Sequence, residues 1–126
     1  MLLAVYGTLR RGGALNPYLG NAPFLGQETV PGYEMYSFGS YPYITPGDGD
    51  ILAEVFDVAE REATKTERME RSAGYKMAEI QTRFGTAHLF YVPEETHQRQ
   101  VLEWETPRIK SGNWMDYLNE KRGILA

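Results

Sequence analysis

The chain of 126 residues, 42% hydrophobic and 24% charged, fits one domain over residues 1–126 with a single core, and that balance suits neither disorder nor a membrane span. A formal net charge of -4 with dispersed Lys and Arg argues against a nucleic-acid partner, which needs clustered positive charge. The absence of cysteine excludes disulfides, a thiol nucleophile and a thiolate metal site.

Met1–Val5 is too short for a signal-peptide core or a transmembrane helix and has no basic residue before it, so a cytoplasmic protein with no membrane partner is expected. The same run reads as a short buried strand leading into a turn at Tyr6, Gly7, Thr8 and Leu9. Gly7 brings backbone freedom and, lacking a Cβ, admits a ligand against the main chain. The amides of Gly7, Thr8 and Leu9 would then form a nest for a carboxylate or an oxyanion. Taken alone, the pattern is more often an ordinary strand end.

Ala14–Leu19 forms a helical turn or a loop that packs Leu15 and Leu19 inward. Phe24–Val30 and Tyr33–Phe38 read as an antiparallel pair of strands joined by a tight turn at Pro31-Gly32. Gly39–Tyr43 and Pro46–Asp50 have loop chemistry, and Ile51–Val58 alternates from Ala53 onward as a half-buried strand does. Tyr75–Thr82 and Thr86–Val92 are two further strands joined by Arg83-Phe84-Gly85. The segment Gly112–Gly123 is predicted helical, with Trp114, Tyr117 and Leu118 on one apolar face and Gly123 as its stop. About six short strands, a central helix and a C-terminal helix define an α+β domain. Periodicity allows either a small barrel or an open sheet.

The central helix is predicted over Ala59–Ala73, a run rich in helix formers and free of Gly and Pro. At about 3.6 residues per turn, Ala59, Ala63, Thr66 and Glu70 fall on one stripe, with Arg61, Lys65, Arg68 and Arg71 opposite. Among the acids of this helix, Glu70 alone lies at the centre of the small-residue stripe. A carboxylate buried there needs a partner or a task; a helix standing away from the core would instead leave it solvated. No metal or phosphate site is legible elsewhere. His88 and His97 have no ligand spacing around them, Asp48-Gly49-Asp50 lacks that of a calcium loop, and no Gly-rich phosphate loop is present.

With Leu9-Arg10 included, Tyr6–Arg10 resembles the Tyr-Gly-Thr-Leu-Arg signature of the gamma-glutamylcyclotransferase-like family, which includes gamma-glutamylamine cyclotransferase and the AIG2-like proteins. Later segments are similar to the family's in order and spacing: Glu67-Arg68-Met69-Glu70 followed by Tyr75, His88-Leu89-Phe90-Tyr91-Val92, and Ser111-Gly112-Asn113-Trp114. The chain departs from the pattern at Glu67 and Asn113, where the family has Asp, at Ala53 in place of Gly, and at Lys76-Met77, where an Arg is common.

The resemblance implies a small closed, mixed β-barrel with one helix beside it and a C-terminal helix. It also implies cofactor-independent release of 5-oxoproline from a small-molecule γ-glutamyl substrate, with the substrate's α-amino group as the nucleophile. Glu70 would be the general acid/base, and Tyr6, Gly7, Thr8, Leu9, Arg10, Tyr75 and Tyr91 would bind substrate, in a monomer or homodimer. A binding module that keeps the anion nest without turnover is the alternative. Retention of Glu70 favours the enzyme.

Overall fold

The structure, a computed structural model, describes the backbone of residues 1–125 and the side chains of residues 1–122. Leu2–Val5 forms β1, antiparallel to β3 (Pro42–Asp57) on one edge and parallel to β5 (Gly85–Tyr91) on the other. Leu3, Ala4 and Val5 are at most 3% exposed, and a strand covered on both faces needs an unbroken apolar run, not an alternating one. β2 (Phe24–Ser37), β4 (Lys76–Thr82) and β6 (Arg108–Ile109) complete a six-stranded mixed sheet in the order β4-β5-β1-β3-β2-β6. The expected mixed barrel is a curled half-barrel, with β4 and β6 as the edges of the ladder. A hydrogen bond of 2.8 Å from the Val92 amide to the Ile44 carbonyl ties the end of β5 across to β3.

Two expected turns are absent. Pro31-Gly32 lies inside β2, and Pro46–Asp50 lies inside β3; the two strands pair along nearly their whole lengths. Proline cannot donate to the ladder, and the register shifts between Pro31 and Tyr33, so this Pro-Gly marks a bulge within a strand, not a hairpin. At Gly49 a Cβ would stand 2.7 Å from the Tyr33 carbonyl oxygen, which accounts for a glycine where the strands touch. The reversal comes later, at Phe38–Tyr41, where the Phe38 amide donates to the Tyr41 carbonyl over 2.9 Å. Six strands were expected and six are found, but two of the expected ones are one strand, and Arg108–Ile109, paired with Met35 and Tyr36, is the sixth.

Three helices cover the sheet. α1 (Glu60–Ser72) buries Ala63 and Thr66 and packs beside a cluster of Leu3, Val5, Leu19, Phe56 and Phe90. α2 (Glu94–Glu103), which was not expected, buries none of its residues. Its signal was Pro93 followed by Glu94 and Glu95, which fix the first turn and complement the helix dipole. α3 (Trp114–Leu125) continues through the expected stop at Gly123. Trp114, 1% exposed, joins the second cluster with Met35, Ile44, Val55 and Leu89, and Tyr117 stacks on it at 5.6 Å. Among the described residues no helix is long and apolar enough to cross a membrane.

Gly112 makes the approach to α3 possible. Its φ is +64°, and an added Cβ would stand 2.1 Å from the Asp50 carbonyl oxygen. Gly112→Ala is therefore expected to cost about 2 kcal/mol or more of stability. Denaturant melts check this, and an unchanged midpoint would contradict it.

Candidate active site

The loop after β1 is shaped by where its carbonyls point. The Gly7 oxygen accepts from the Arg10 amide at 3.0 Å, that of Thr8 from Leu15 at 2.9 Å, and that of Arg10 from Gly13 at 2.8 Å. The Leu9 oxygen accepts from the Asn16 side-chain amide at 2.9 Å. With four successive carbonyls bound to the protein, the amides of Gly7, Thr8 and Leu9 donate to no protein acceptor among the described residues. Such amides favour an anionic oxygen. Gly7 is needed here for close approach, not for a left-handed backbone. Its φ is not positive, and an added Cβ would meet Pro42 Cγ at 2.7 Å.

Opposite the loop stands the end of α1. The stripe read from the sequence faces inward from Ala63 on, with Thr66 fully buried and Glu70 half-buried one turn further on, while Ala59, at the start of the helix, is exposed. The Glu70 carbonyl accepts from the amides of Ala73 and Tyr75, both at 3.1 Å, and Gly74 between them has φ +93°. This tight helix end returns the chain into β4 and explains the five-residue spacing from Glu70 to Tyr75. A cavity of about 440 Å³ lies between loop and helix. Tyr6, Gly7, Thr8 and Leu9 line one side, Met69, Glu70, Ala73 and Tyr75 another, and Ser40, Tyr41 and Pro42 of the β2–β3 turn a third.

Burial pushes the Glu70 carboxyl up to about 7. Its carboxylate has no hydrogen-bond or ion-pair partner among the described residues to oppose that shift. Burial also raises Tyr6 and Tyr75, with Glu70 adding to both, so the phenols remain protonated. Tyr6 Oη donates to the Phe90 carbonyl at 2.7 Å, and Tyr75 Oη to that of Pro42 at 3.1 Å. With their protons committed, both oxygens retain acceptor capacity, and together with Glu70 they suit an ammonium group.

Arg10 and Tyr91 do not join the cavity. Arg10 is 5% exposed and turns away to Glu54 and Asn113, because the charge of its head group is satisfied there. Tyr91 follows Phe90, which lines the cavity, and strand alternation sends it to the opposite face against Tyr33, at 6.3 Å between rings. The wall formed by Ser40, Tyr41 and Pro42 comes from the segment Gly39–Tyr43, whose loop chemistry was legible in the sequence. Sequence reading missed the buried Glu54. The signal at Glu54 was an acid set between Ala53 and Val55 within the apolar run Ile51–Phe56. His97 makes a structural contact, with Nδ1 2.8 Å from Tyr43 Oη.

The curled α+β half-barrel thus carries one unpaired carboxylate across a cavity from free backbone amides, an arrangement suited to acid–base chemistry. The family model described as gamma-glutamyl cyclotransferase, AIG2-like, matches residues 3–116, and the chain belongs to that family. A gamma-glutamylcyclotransferase family protein of Escherichia coli K12 is 33% identical over 121 residues, 92% of this chain and 97% of its own. The crystal structure of an uncharacterized protein from Pyrococcus horikoshii has a TM-score of 0.82 at 33% identity, over 98% of this chain and 97% of its own. A mouse AIG2-like protein, 21% identical with a TM-score of 0.63 over 87% of this chain and 86% of its own, shares the fold. The chain is accordingly gamma-glutamylcyclotransferase-like in type.

The raised Glu70 makes stability depend on pH. The native state binds this proton more tightly than the unfolded chain does. The favourable contribution is therefore complete below about pH 4.5 and is lost as pH rises through about 7. A carboxyl at about 7 in the folded chain against 4.5 in the unfolded one corresponds to about 3 kcal/mol. Glu70→Gln keeps the shape without the charge, so its stability relative to the parent is expected to rise by about that amount between pH 4 and pH 8. Melts of both proteins at the two pH values test this; a difference independent of pH would mean an unshifted carboxyl.

Proposed function

We propose that the chain releases 5-oxoproline from a γ-glutamyl amine by attack of the substrate's own α-amino nitrogen on its γ-carbonyl carbon. The observation that carries the reading is the half-buried Glu70, raised to about 7, facing free loop amides across one cavity.

The substrate supplies the nucleophile, so the protein has to fold the substrate, move a proton and steady an oxyanion. The α-ammonium would lie among Glu70, Tyr6 and Tyr75, and Glu70 would take one of its protons. At about 7, Glu70 lies ~1 unit below an α-ammonium near 8, so the transfer costs about 1.4 kcal/mol, against about 5 for a Glu of ordinary acidity. The new N–C bond forms as the γ-carbonyl oxygen gains charge toward the amides of Gly7, Thr8 and Leu9. When the bond to the leaving nitrogen breaks, Glu70 returns the proton to it, then takes the surplus proton of the ring nitrogen and passes it to the released amine, giving an ammonium and 5-oxoproline without water and leaving Glu70 ionised. Holding both reacting groups in one cavity can contribute about 7 kcal/mol or more.

The wall chemistry favours an amine over an amino acid as leaving group. Glu70 is the one charged side chain among the described residues lining the cavity; Ala4, Val5, Leu9, Leu15, Met69 and Phe90 make much of the rest. A second substrate carboxylate ~6 Å from ionised Glu70 would cost about 3 kcal/mol at an effective dielectric constant of ~20.

Incubation with a panel of γ-glutamyl amines and γ-glutamyl amino acids, scored for 5-oxoproline, tests the proposal. The expected result is kcat/KM at least about tenfold higher for amines, rising as pH passes about 7, and abolished in Glu70→Gln. Chelator dialysis should leave the activity intact. A protein that binds 5-oxoproline but never forms it would be a binding module on the same fold.

A further inference from the structure

One fully buried carboxylate takes no part in the proposed reaction. Glu54, 2% exposed, sits in β3 between Ala53 and Val55, both at 0%. Its Oε2 accepts from Arg10 Nε at 3.0 Å, and its Oε1 accepts from the Arg11 main-chain amide at 2.8 Å. Arg10 also donates from a terminal guanidinium nitrogen to Asn113 Oδ1 at 2.9 Å. The same Oδ1 accepts from the Asp116 amide at 3.2 Å, in the first turn of α3.

Stability alone does not explain this arrangement. A buried ion pair loses in desolvation much of what it gains in attraction, and apolar residues of the same volume often serve as well or better. What an apolar residue could not do is fix the main chain of Arg11. Glu54 is also the register partner of Val5, the last residue of β1 before the cavity loop. Its backbone therefore lies beside the start of the loop and its carboxylate holds the end. Residues 6–9, including the three free amides, lie between these two attachments.

We propose that Glu54 is a positioning residue for this loop: with Arg10 and Asn113 it keeps the amides of Gly7, Thr8 and Leu9 turned toward the cavity. This rests on the proposed function insofar as those amides meet the substrate. Arg10, which the family resemblance assigned to substrate binding, thereby acts from behind the loop.

Glu54→Gln tests the idea, because the amide keeps the size of the carboxylate but turns a donor toward Arg10 or Arg11. Hydrogen exchange followed by NMR needs no substrate. The Arg10, Gly13 and Leu15 amides, which hold the loop carbonyls, are expected to exchange about tenfold faster, with Leu3 and Val55 in the sheet changed less than about twofold. In the fully folded variant, turnover of a γ-glutamyl amine should fall about tenfold or more, while the rise of rate near pH 7, set by Glu70, stays in place. Asn113→Ala, which leaves the Arg10–Glu54 pair intact, should show a smaller loss in the same direction and serves if Glu54→Gln does not fold. Exchange that quickens evenly over the sheet, or turnover per folded molecule equal to the parent's, would overturn the inference. A parent that forms no 5-oxoproline would instead overturn the proposed function and leave the exchange result to judge the loop.

Discussion

The parallel pairing of β1 with β5 is the constraint on which the site depends. Antiparallel neighbours can be joined by a short hairpin, but a parallel partner is reached only by a crossover. Here the chain leaves β3, forms α1 and β4, and only then enters β5 beside β1. That route carries α1 over the face on which β1 ends and brings its last turn opposite the loop beyond Val5. The tight end at Gly74, with two amides bound to the Glu70 carbonyl, then turns the chain into β4 with Tyr75 beside the same cavity. Glu70 and the free amides are far apart in sequence and meet because one strand has two neighbours of opposite sense.

The cavity is suited to proton transfer because its walls are poor in charge. An apolar surround raises Glu70 by burial alone, and the nearby tyrosines give their protons to main-chain carbonyls, not to the carboxylate. Direct donation from Tyr6 or Tyr75 to Glu70 would stabilise the ionised form and lower its affinity for a proton. The carbonyls of Phe90 and Pro42 thus help keep the carboxyl near neutral pH, at the cost of a group whose ionisation weakens the fold.

Several elements were legible because their cause is local. The apolar run of β1, the stripe through Ala63, Thr66 and Glu70, and the β4–β5 hairpin each follow from residues within a turn or a strand of one another. Pro31-Gly32 and Pro46–Asp50 also carry local signals, and there the signals misled. A long ladder between β2 and β3 absorbs them as a bulge and as points of close contact, because pairing on both sides outweighs turn propensity. α2 escaped notice since it has no buried face to leave a period in the sequence. Arg10 and Tyr91 show a different limit. Adjacency in a motif does not decide which way a side chain points, and one step along a strand reverses it.

The two inward carboxylates, Glu54 and Glu70, divide the work between them. Glu54 has a donor on each oxygen, two arginines beside it and almost no exposure, so it holds position. Glu70 has no such partner and half-faces an open cavity, so it is free to exchange a proton. Both depend on the same loop, since Glu54 fixes its end and Glu70 faces its amides. Were Arg10 to point into the cavity, its charge would stabilise ionised Glu70 and draw its proton affinity down toward that of an ordinary carboxyl. Sequestering that arginine against Glu54 therefore does two things with one ion pair: it anchors the amides, and it keeps positive charge away from the carboxyl whose proton affinity burial raises.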